Sequence, residues 1–199
     1  MPPRSAGGGA DERMRIVAGK FRGASIEAAK GLTTRPTADR VRQALFNVLE
    51  HGAPRFDFEG ARVLDLFAGS GALGLEALSR GARFCLFVEE SAQARAAIRR
   101  NVEALGLTGA TKIWRRDATK LGEAGTLAPF RLIFCDPPYG KGLGERALAE
   151  AVNRGWAEDG AIAVLEERAD AEIAWPGRFE GIDRRRYGDT GIAIARVRN

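Results

Sequence analysis

The residues best suited to chemistry are Phe134-Cys135-Asp136-Pro137-Pro138-Tyr139-Gly140. A short apolar run from Phe130 to Cys135 meets a carboxylate, two prolines, an aromatic ring and a glycine. Two prolines donate no backbone hydrogen bond and hold φ near about −65°, so the strand must stop and the turn is stiff. Such a turn fixes the Asp136 carboxylate, the carbonyls beside it and the Tyr139 ring relative to one another. Acceptors next to a flat ring suit a planar group with an exocyclic NH2, which donates to the acceptors while its face stacks. Asp, Pro and Gly are also the common residues of plain turns. The stretch gains meaning only if a ligand site lies on the same sheet edge.

That second site is present. Arg62-Val63-Leu64-Asp65-Leu66-Phe67 reads as a buried strand, followed by Ala68-Gly69-Ser70-Gly71-Ala72-Leu73-Gly74 and a helix to about Arg80. A strand, a glycine-rich turn and a helix open the nucleotide-binding half of an α/β sheet. The next strand, Phe84 to Val88, ends at Glu89, 20 residues beyond Gly69, where a carboxylate can accept from both ribose hydroxyls. Gly69, Gly71 and Gly74 also satisfy the pattern of nicotinamide enzymes, which keeps an oxidoreductase as a rival. Asp65 argues against it. A carboxylate just before the glycine turn would repel a pyrophosphate and attract the ammonium of a methionine moiety. Adenosine joined to a cationic amino-acid end is S-adenosylmethionine.

The elements that must position these residues alternate. Ser91 caps a helix to about Leu105, with Ala94, Ile98, Val102 and Leu105 inward. Lys112 to Arg116 is a strand ending at Asp117-Ala118, an acid placed for an adenine amino group. Glu145 to Arg154 is helical, Ala161 to Glu166 is a strand, and Phe179 to Arg186 with Gly191 to Val197 form a closing hairpin around Tyr187-Gly188-Asp189-Thr190. Strand–helix alternation implies a doubly wound parallel sheet with ligands at the carboxyl ends of its strands. Asp65, Glu89, Asp117 and Asp136 all fall at such ends.

Ahead of this domain lies a basic arm. Met14 to Val17 and Ala24 to Ala28 are short strands flanking the tip Gly19-Lys20-Phe21-Arg22-Gly23. Thr37 is the expected cap of a helix with Val41, Leu45, Val48 and Leu49 on one face. Arg13 to Arg42 holds eight basic residues against two acidic ones, a larger excess than the +5 of the whole chain. A solvated face would account for such charge, but its concentration in one arm favours a nucleic-acid surface. The expected division is a disordered 1–13, the arm over 14–52 and the main domain over 53–199. No apolar run approaches the roughly 20 residues of a membrane span, and the first 13 residues lack a signal-peptide core, so a cytoplasmic location is expected. The chain is also expected to be a monomer. Cys85 and Cys135 sit in apolar runs and His51 is the sole histidine, which leaves no metal-site pattern.

The pairing of Asp-Leu-Phe-Ala-Gly-Ser-Gly with Asp-Pro-Pro-Tyr resembles the S-adenosylmethionine-dependent amino-methyltransferases. Met14 to Lys20, Thr34 to Arg42, Ala77 to Ala82 and Tyr187 to Thr190 narrow the resemblance to the RsmD-type 16S rRNA guanine-N2 methyltransferases, over about residues 14–198. The resemblance implies a seven-stranded Rossmann-like sheet, parallel but for one antiparallel C-terminal strand, with a small N-terminal hairpin–helix appendage. It implies methylation of the exocyclic N2 of one guanine in small-subunit rRNA, on an assembled particle. The residues alone reach a methyltransferase acting on a base amino group; they leave an adenine-N6 enzyme open. A non-catalytic RNA-binding assembly factor is the rival of another class, and it has no need of Asp-Pro-Pro-Tyr. The expected catalytic set is Asp136, Pro137, Pro138 and Tyr139. Cofactor contacts are expected from Asp65, Phe67, Ala68, Gly69, Ser70, Gly71, Glu89, Asp117, Ala118 and Asp136. RNA contacts are expected from Arg15, Lys20, Arg22, Arg35, Arg40, Arg42 and Arg185, with Arg184 and Arg186 next to the last.

Overall fold

The computed structural model describes residues 14–28 and 36–198. The expected contact of Arg35 and the expected disorder of 1–13 lie outside them. Seven strands form one sheet: β3 (Arg62–Leu66), β4 (Phe84–Val88), β5 (Thr111–Trp114), β6 (Phe130–Cys135), β7 (Ala157–Arg168), β8 (Phe179–Tyr187) and β9 (Thr190–Val197). Their order is β5-β4-β3-β6-β7-β9-β8. Neighbours run parallel from β5 to β7, while β9 is antiparallel to both β7 and β8. The single reversed strand matches the expected architecture. A separate hairpin pairs β1 (Met14–Arg15) with β2 (Ser25–Ile26).

Helices α1 (Pro36–His51), α2 (Ala72–Ser79), α3 (Ala92–Ala104) and α4 (Leu143–Asn153) cover the two faces. Strand side chains alternate between faces, and the two cores follow that alternation. Val63, Phe87, Phe134 and Val164 join α1, α2, α3 and the hairpin residues Ile16 and Ile26 on one face. Leu64, Leu66, Cys135 and Leu165 join α4 and Trp156 on the other. Burying each such aliphatic or aromatic side chain contributes about 1.5–3 kcal/mol.

The helix α1 starts at Pro36, one residue before the expected cap Thr37, because proline's fixed φ suits the first helical position. Ser91 caps α3 as expected, accepting the Ala94 N–H at 3.3 Å. The strand expected at 161–166 extends over 157–168. At its far end Glu167 and Arg168 pair with Gly191 and Thr190 of β9. At its start Ala157 pairs with Phe130 before an irregularity, past which the ladder to β6 resumes at Ile162.

The hairpin is fastened to α2 rather than held by apolar contact alone. Fully buried Glu76 accepts the N–H groups of Val17 (2.8 Å) and Ala18 (3.0 Å). The Ser79 hydroxyl accepts from Phe21 N–H (2.9 Å) and donates to the Ala18 carbonyl (2.6 Å), while Lys20 N–H donates to the Ser79 carbonyl (2.7 Å). Gly19 makes this approach possible: at φ +82° a Cβ would stand 1.9 Å from the Ser79 carbonyl oxygen.

Candidate active site

The register of β3 against β6 pairs Leu66 with Cys135. The next residues are Phe67, which enters the glycine turn, and Asp136, which enters the proline turn. The two motifs therefore share one carboxyl edge, and Asp136 N–H reaches the Leu66 carbonyl at 3.4 Å.

The glycine turn is built under tension. Phe67 sits at φ +57°, a left-handed conformation that costs a residue with a Cβ about 1–2 kcal/mol. Gly69 (φ +57°) and Gly71 (φ +80°) continue the turn, and Gly71 precedes α2. The Gly69 N–H is held by Glu89 Oε2 at 2.9 Å, and the other Glu89 oxygen accepts from Ser91 N–H at 2.8 Å. Nearly buried Arg95 donates to the carbonyls of Glu89 and Glu90, fixing that turn from behind. Ser70 offers its carbonyl to Asn101 Nδ2 at 3.0 Å. The same buried Asn101 accepts from Glu27 N–H and donates to the Glu27 carbonyl, so one side chain ties the hairpin to the glycine turn. Ala68 is buried and donates to the Val88 carbonyl.

Asp65 lies beneath this turn, only 1% exposed, with Oδ2 accepting the Gly74 N–H at 3.0 Å. Burial, and then the nearby Glu89 charge, push its carboxyl up to about 8 against the relief given by Gly74. Gly74 is required for space: a Cβ there would meet Cys85 Sγ and Phe87 Cε1, each at 2.5 Å. Gly74→Ala should therefore destabilise by about 1–3 kcal/mol, the usual cost of overpacking, despite alanine's better helix propensity. Urea unfolding checks this; unchanged or raised stability would show that the contact relaxes freely.

Asp117 binds its own turn, accepting from Thr119 N–H (2.8 Å) and hydroxyl (2.7 Å), which holds its carboxyl below the usual range. Ala118 behind it is buried.

At β6, Asp136 is half-buried, and Pro137 is buried while Pro138 and Tyr139 are exposed. Burial raises the Asp136 carboxyl well above its ordinary range, with further upward pressure from Glu166, Asp65 and Glu167. Two of these neighbours were not foreseen as site residues. The Tyr139 hydroxyl donates to Glu166 Oε1, and the Gly140 N–H is accepted by both Glu167 oxygens, at 3.0 and 3.2 Å. Burial and the Glu166 carboxylate raise the Tyr139 phenol, keeping it a donor. The proline turn is thus clamped to β7 by two consecutive acids.

The expected RNA contacts divide. Arg15, Lys20, Arg22 and Arg40 are exposed, as is Arg185, which pairs with Asp183 Oδ2 at 2.8 Å. Arg42 requires correction. Its side chain is 4% exposed, donates to the Arg15 carbonyl and to Asp39 (3.0 Å), and sits 3.8 Å from Glu76. It lies three, four and seven residues before Leu45, Phe46 and Leu49, on the inward stripe of α1, and cannot reach a phosphate. Among the described residues no group of three His, Cys, Asp or Glu side chains is arranged to hold a metal ion.

A seven-stranded sheet reversed only at β9, with a glycine turn after β3 and carboxylates along one edge, defines a Rossmann-like methyltransferase domain. The chain belongs to the family described as Conserved hypothetical protein 95, whose model matches residues 14–196. It is 38% identical to YlbH of Bacillus subtilis, over 93% of this chain and 100% of that one. It is 35% identical to the ribosomal RNA small subunit methyltransferase D of Escherichia coli K12, over 84% of this chain and 80% of that one. The solved structure of yhhF from Escherichia coli superposes with a TM-score of 0.81 at 32% identity, covering 94% and 98% of the two chains.

Proposed function

We propose that the protein transfers a methyl group from S-adenosylmethionine to the exocyclic N2 of a guanine in small-subunit rRNA, within the assembled particle or its precursor. The observation that carries this reading is the Leu66–Cys135 register, which sets the glycine turn and the proline turn side by side. The relatives named as small-subunit rRNA methyltransferases support the substrate class.

The site suits a cationic ligand. Asp65, Glu89, Asp136, Glu166 and Glu167 crowd one edge, and the charges of Glu89 on Asp65, and of Asp65, Glu166 and Glu167 on Asp136, oppose ionisation. A diphosphate would add to that repulsion; a sulfonium and an ammonium relieve it. This disfavours the nicotinamide reading of the same glycines. S-adenosylmethionine, when bound, supplies an electrophilic methyl on positively charged sulfur. Glu89, whose carboxylate accepts the Gly69 N–H, would accept from the ribose hydroxyls, and Asp117, three residues past the end of β5, would accept from the adenine amino group.

The chain's own residues then prepare the amine. Tyr139 offers an exposed ring for stacking while its hydroxyl is tied to Glu166. Asp136 and the Pro137 carbonyl accept the amino hydrogens. This turns the nitrogen lone pair toward the methyl carbon and stabilises the positive charge that develops on nitrogen. As the C–N bond forms and the C–S bond breaks, nitrogen must lose a proton. A carboxylate made more basic by burial and then by its acidic neighbours is suited to take it at Asp136.

Tritiated S-adenosylmethionine incubated with small subunits from cells lacking the modification, followed by nucleoside analysis, should yield N2-methylguanosine. N6-methyladenosine would replace the guanine reading with the adenine one. No transfer with cofactor binding intact would favour the assembly-factor reading.

The exposed hairpin tip should contact phosphates. Neutralising Lys20 and Arg22 together is expected to weaken particle binding and to flatten its salt dependence by about 0.7–0.9 per lost phosphate contact. Cofactor affinity should not change, as neither side chain reaches the glycine turn. Binding measured at several salt concentrations decides this; an unchanged slope would move the docking face toward Arg184, Arg185 and Arg186.

A further inference from the structure

Glu166 occupies a position that the transfer step alone does not require. The register of β6 with β7 pairs Cys135 with Leu165, so Asp136, one residue past the end of β6, and Glu166 on β7 are the next residues along the two neighbouring chains. Cys135 and Leu165 face one core, and Phe134 and Val164 face the other. Alternation along the pleat therefore turns Asp136 and Glu166 to the same face, about one strand spacing, ~4.8 Å, apart. The Glu166 charge is second only to burial among the influences on Asp136. Tyr139 takes one acceptor position of the Glu166 carboxylate, whose two oxygens offer about four.

The arrangement is therefore two parallel acceptors beside the hydroxyl edge of a stacking ring. The edge of a purine that carries the reactive amine differs between guanine and adenine. In guanine the N2 amino group adjoins N1–H, so two neighbouring positions are donors. In adenine the N6 amino group adjoins an unprotonated N1, an acceptor. We propose that Glu166 is the specificity-determining residue, accepting guanine N1–H while Asp136 accepts from the adjacent amino group. An adenine in this pose would aim a lone pair at the Glu166 carboxylate and leave it without its donor. Sites built to bind a substrate N–H reject analogues lacking it far more strongly than sites that read shape. The inference rests on the N2-guanine reading above.

The test uses the full chain and small subunits reconstituted with rRNA carrying either guanine or 2-aminopurine at the methylated nucleotide. 2-Aminopurine keeps the same amino group in the same place and has an unprotonated N1. The wild-type enzyme should prefer guanine by about 10²-fold or more in kcat/KM. Glu166→Gln keeps the size of the side chain but can present a donor; its preference should collapse to within about tenfold, through loss on guanine rather than on 2-aminopurine. Tyr139→Phe removes the hydroxyl tie while keeping the ring. It should slow both substrates and leave the preference intact, which separates reading the base from holding the ring. Equal losses on both substrates in Glu166→Gln, or a collapsed preference in Tyr139→Phe with an intact one in Glu166→Gln, would overturn the proposal. If the Gln variant fails to fold, Glu166→Asp takes its place. With its carboxylate drawn back by one methylene, it should lower the preference by about tenfold through loss on guanine, and an unchanged preference would count against Glu166 as the reader. A wild-type enzyme that yields no N2-methylguanosine would instead refute the underlying function, a result visible before any variant is compared.

Discussion

Asp136→Ala is expected to lower methyl transfer to the particle by about 10²–10³-fold, the loss typical of a donor or acceptor aimed at developing charge. Affinity for S-adenosylmethionine should change by less than a few fold, because the glycine turn is held by Glu89, Asn101 and Asp65. Single-turnover transfer and calorimetry on the same preparation measure the two quantities. Asp136→Asn keeps one acceptor oxygen and should lose less. The carboxyl is raised by burial and by Glu166, Asp65 and Glu167, which gives the pH dependence a sign. At low pH the proton-bearing form can neither stabilise the developing positive charge nor take the amino proton, so kcat/KM should rise with pH, its midpoint above the ordinary carboxylate range. The Asn variant should lose the part of that rise that belongs to Asp136. Full activity in the alanine variant would remove Asp136 from the mechanism.

The parts of this fold that sequence makes legible are those whose information is local. Strands β3, β4 and β6 are compact apolar runs bounded by glycine, proline or acid, and their limits agree with expectation almost to the residue. The ends of β7 are hidden because Glu167 and Arg168 are polar residues held to β9 by the ladder, and because Ala157 pairs with β6 ahead of an irregular, polar stretch. Arg42 shows the opposite error: counting charge in the arm treats every guanidinium alike, and only the stripe Arg42, Leu45, Phe46, Leu49 reveals that one of them turns inward. Glu76 and Asn101 bind partners 58 to 74 residues away in sequence, so no spacing could expose them. A charge embedded in the apolar run Leu75-Glu76-Ala77-Leu78 was the available signal, since such a group is buried only when paired. Glu166 and Glu167 carried the same signal as Asp65 and Asp136. They are acids at a strand's carboxyl end, hidden because the strand was read as ending on the first of them.

Glu76→Ala should be among the most damaging single changes outside the reacting groups, at about 3–5 kcal/mol, the range for removing one partner of a buried charge network. The carboxylate is fully buried on α2 and serves four groups at once. It accepts the Val17 and Ala18 N–H groups, pairs with Arg80 at 2.9 Å, and lies 3.8 Å from Arg42. Arg80 retains a second carboxylate, Glu50 at 2.8 Å. Arg42 is less fortunate: its buried Nε has no hydrogen-bond partner among the described residues and depends on the Glu76 charge. Two backbone donors and the Arg42 Nε would thus be stranded in a buried interface, although that guanidinium keeps Asp39 and the Arg15 carbonyl. The loss would take a large share of a typical domain stability of about 5–15 kcal/mol. Glu76→Gln, keeping one acceptor oxygen and most of the volume, should lose markedly less. The damage should also be regional. Ser79 and Asn101 still hold the hairpin, so amide exchange ought to accelerate first at Val17, Ala18, Lys20 and Phe21, ahead of the β3–β6 ladder. Particle affinity should fall with it, because the Lys20–Arg22 tip loses its fixed position relative to the glycine turn, whereas cofactor affinity at temperatures well below unfolding should hold. A stability loss under 1 kcal/mol, or exchange rising evenly across the sheet, would mean that the hairpin is held by Ile16 and Ile26 in the apolar core and that the buried carboxylate contributes little.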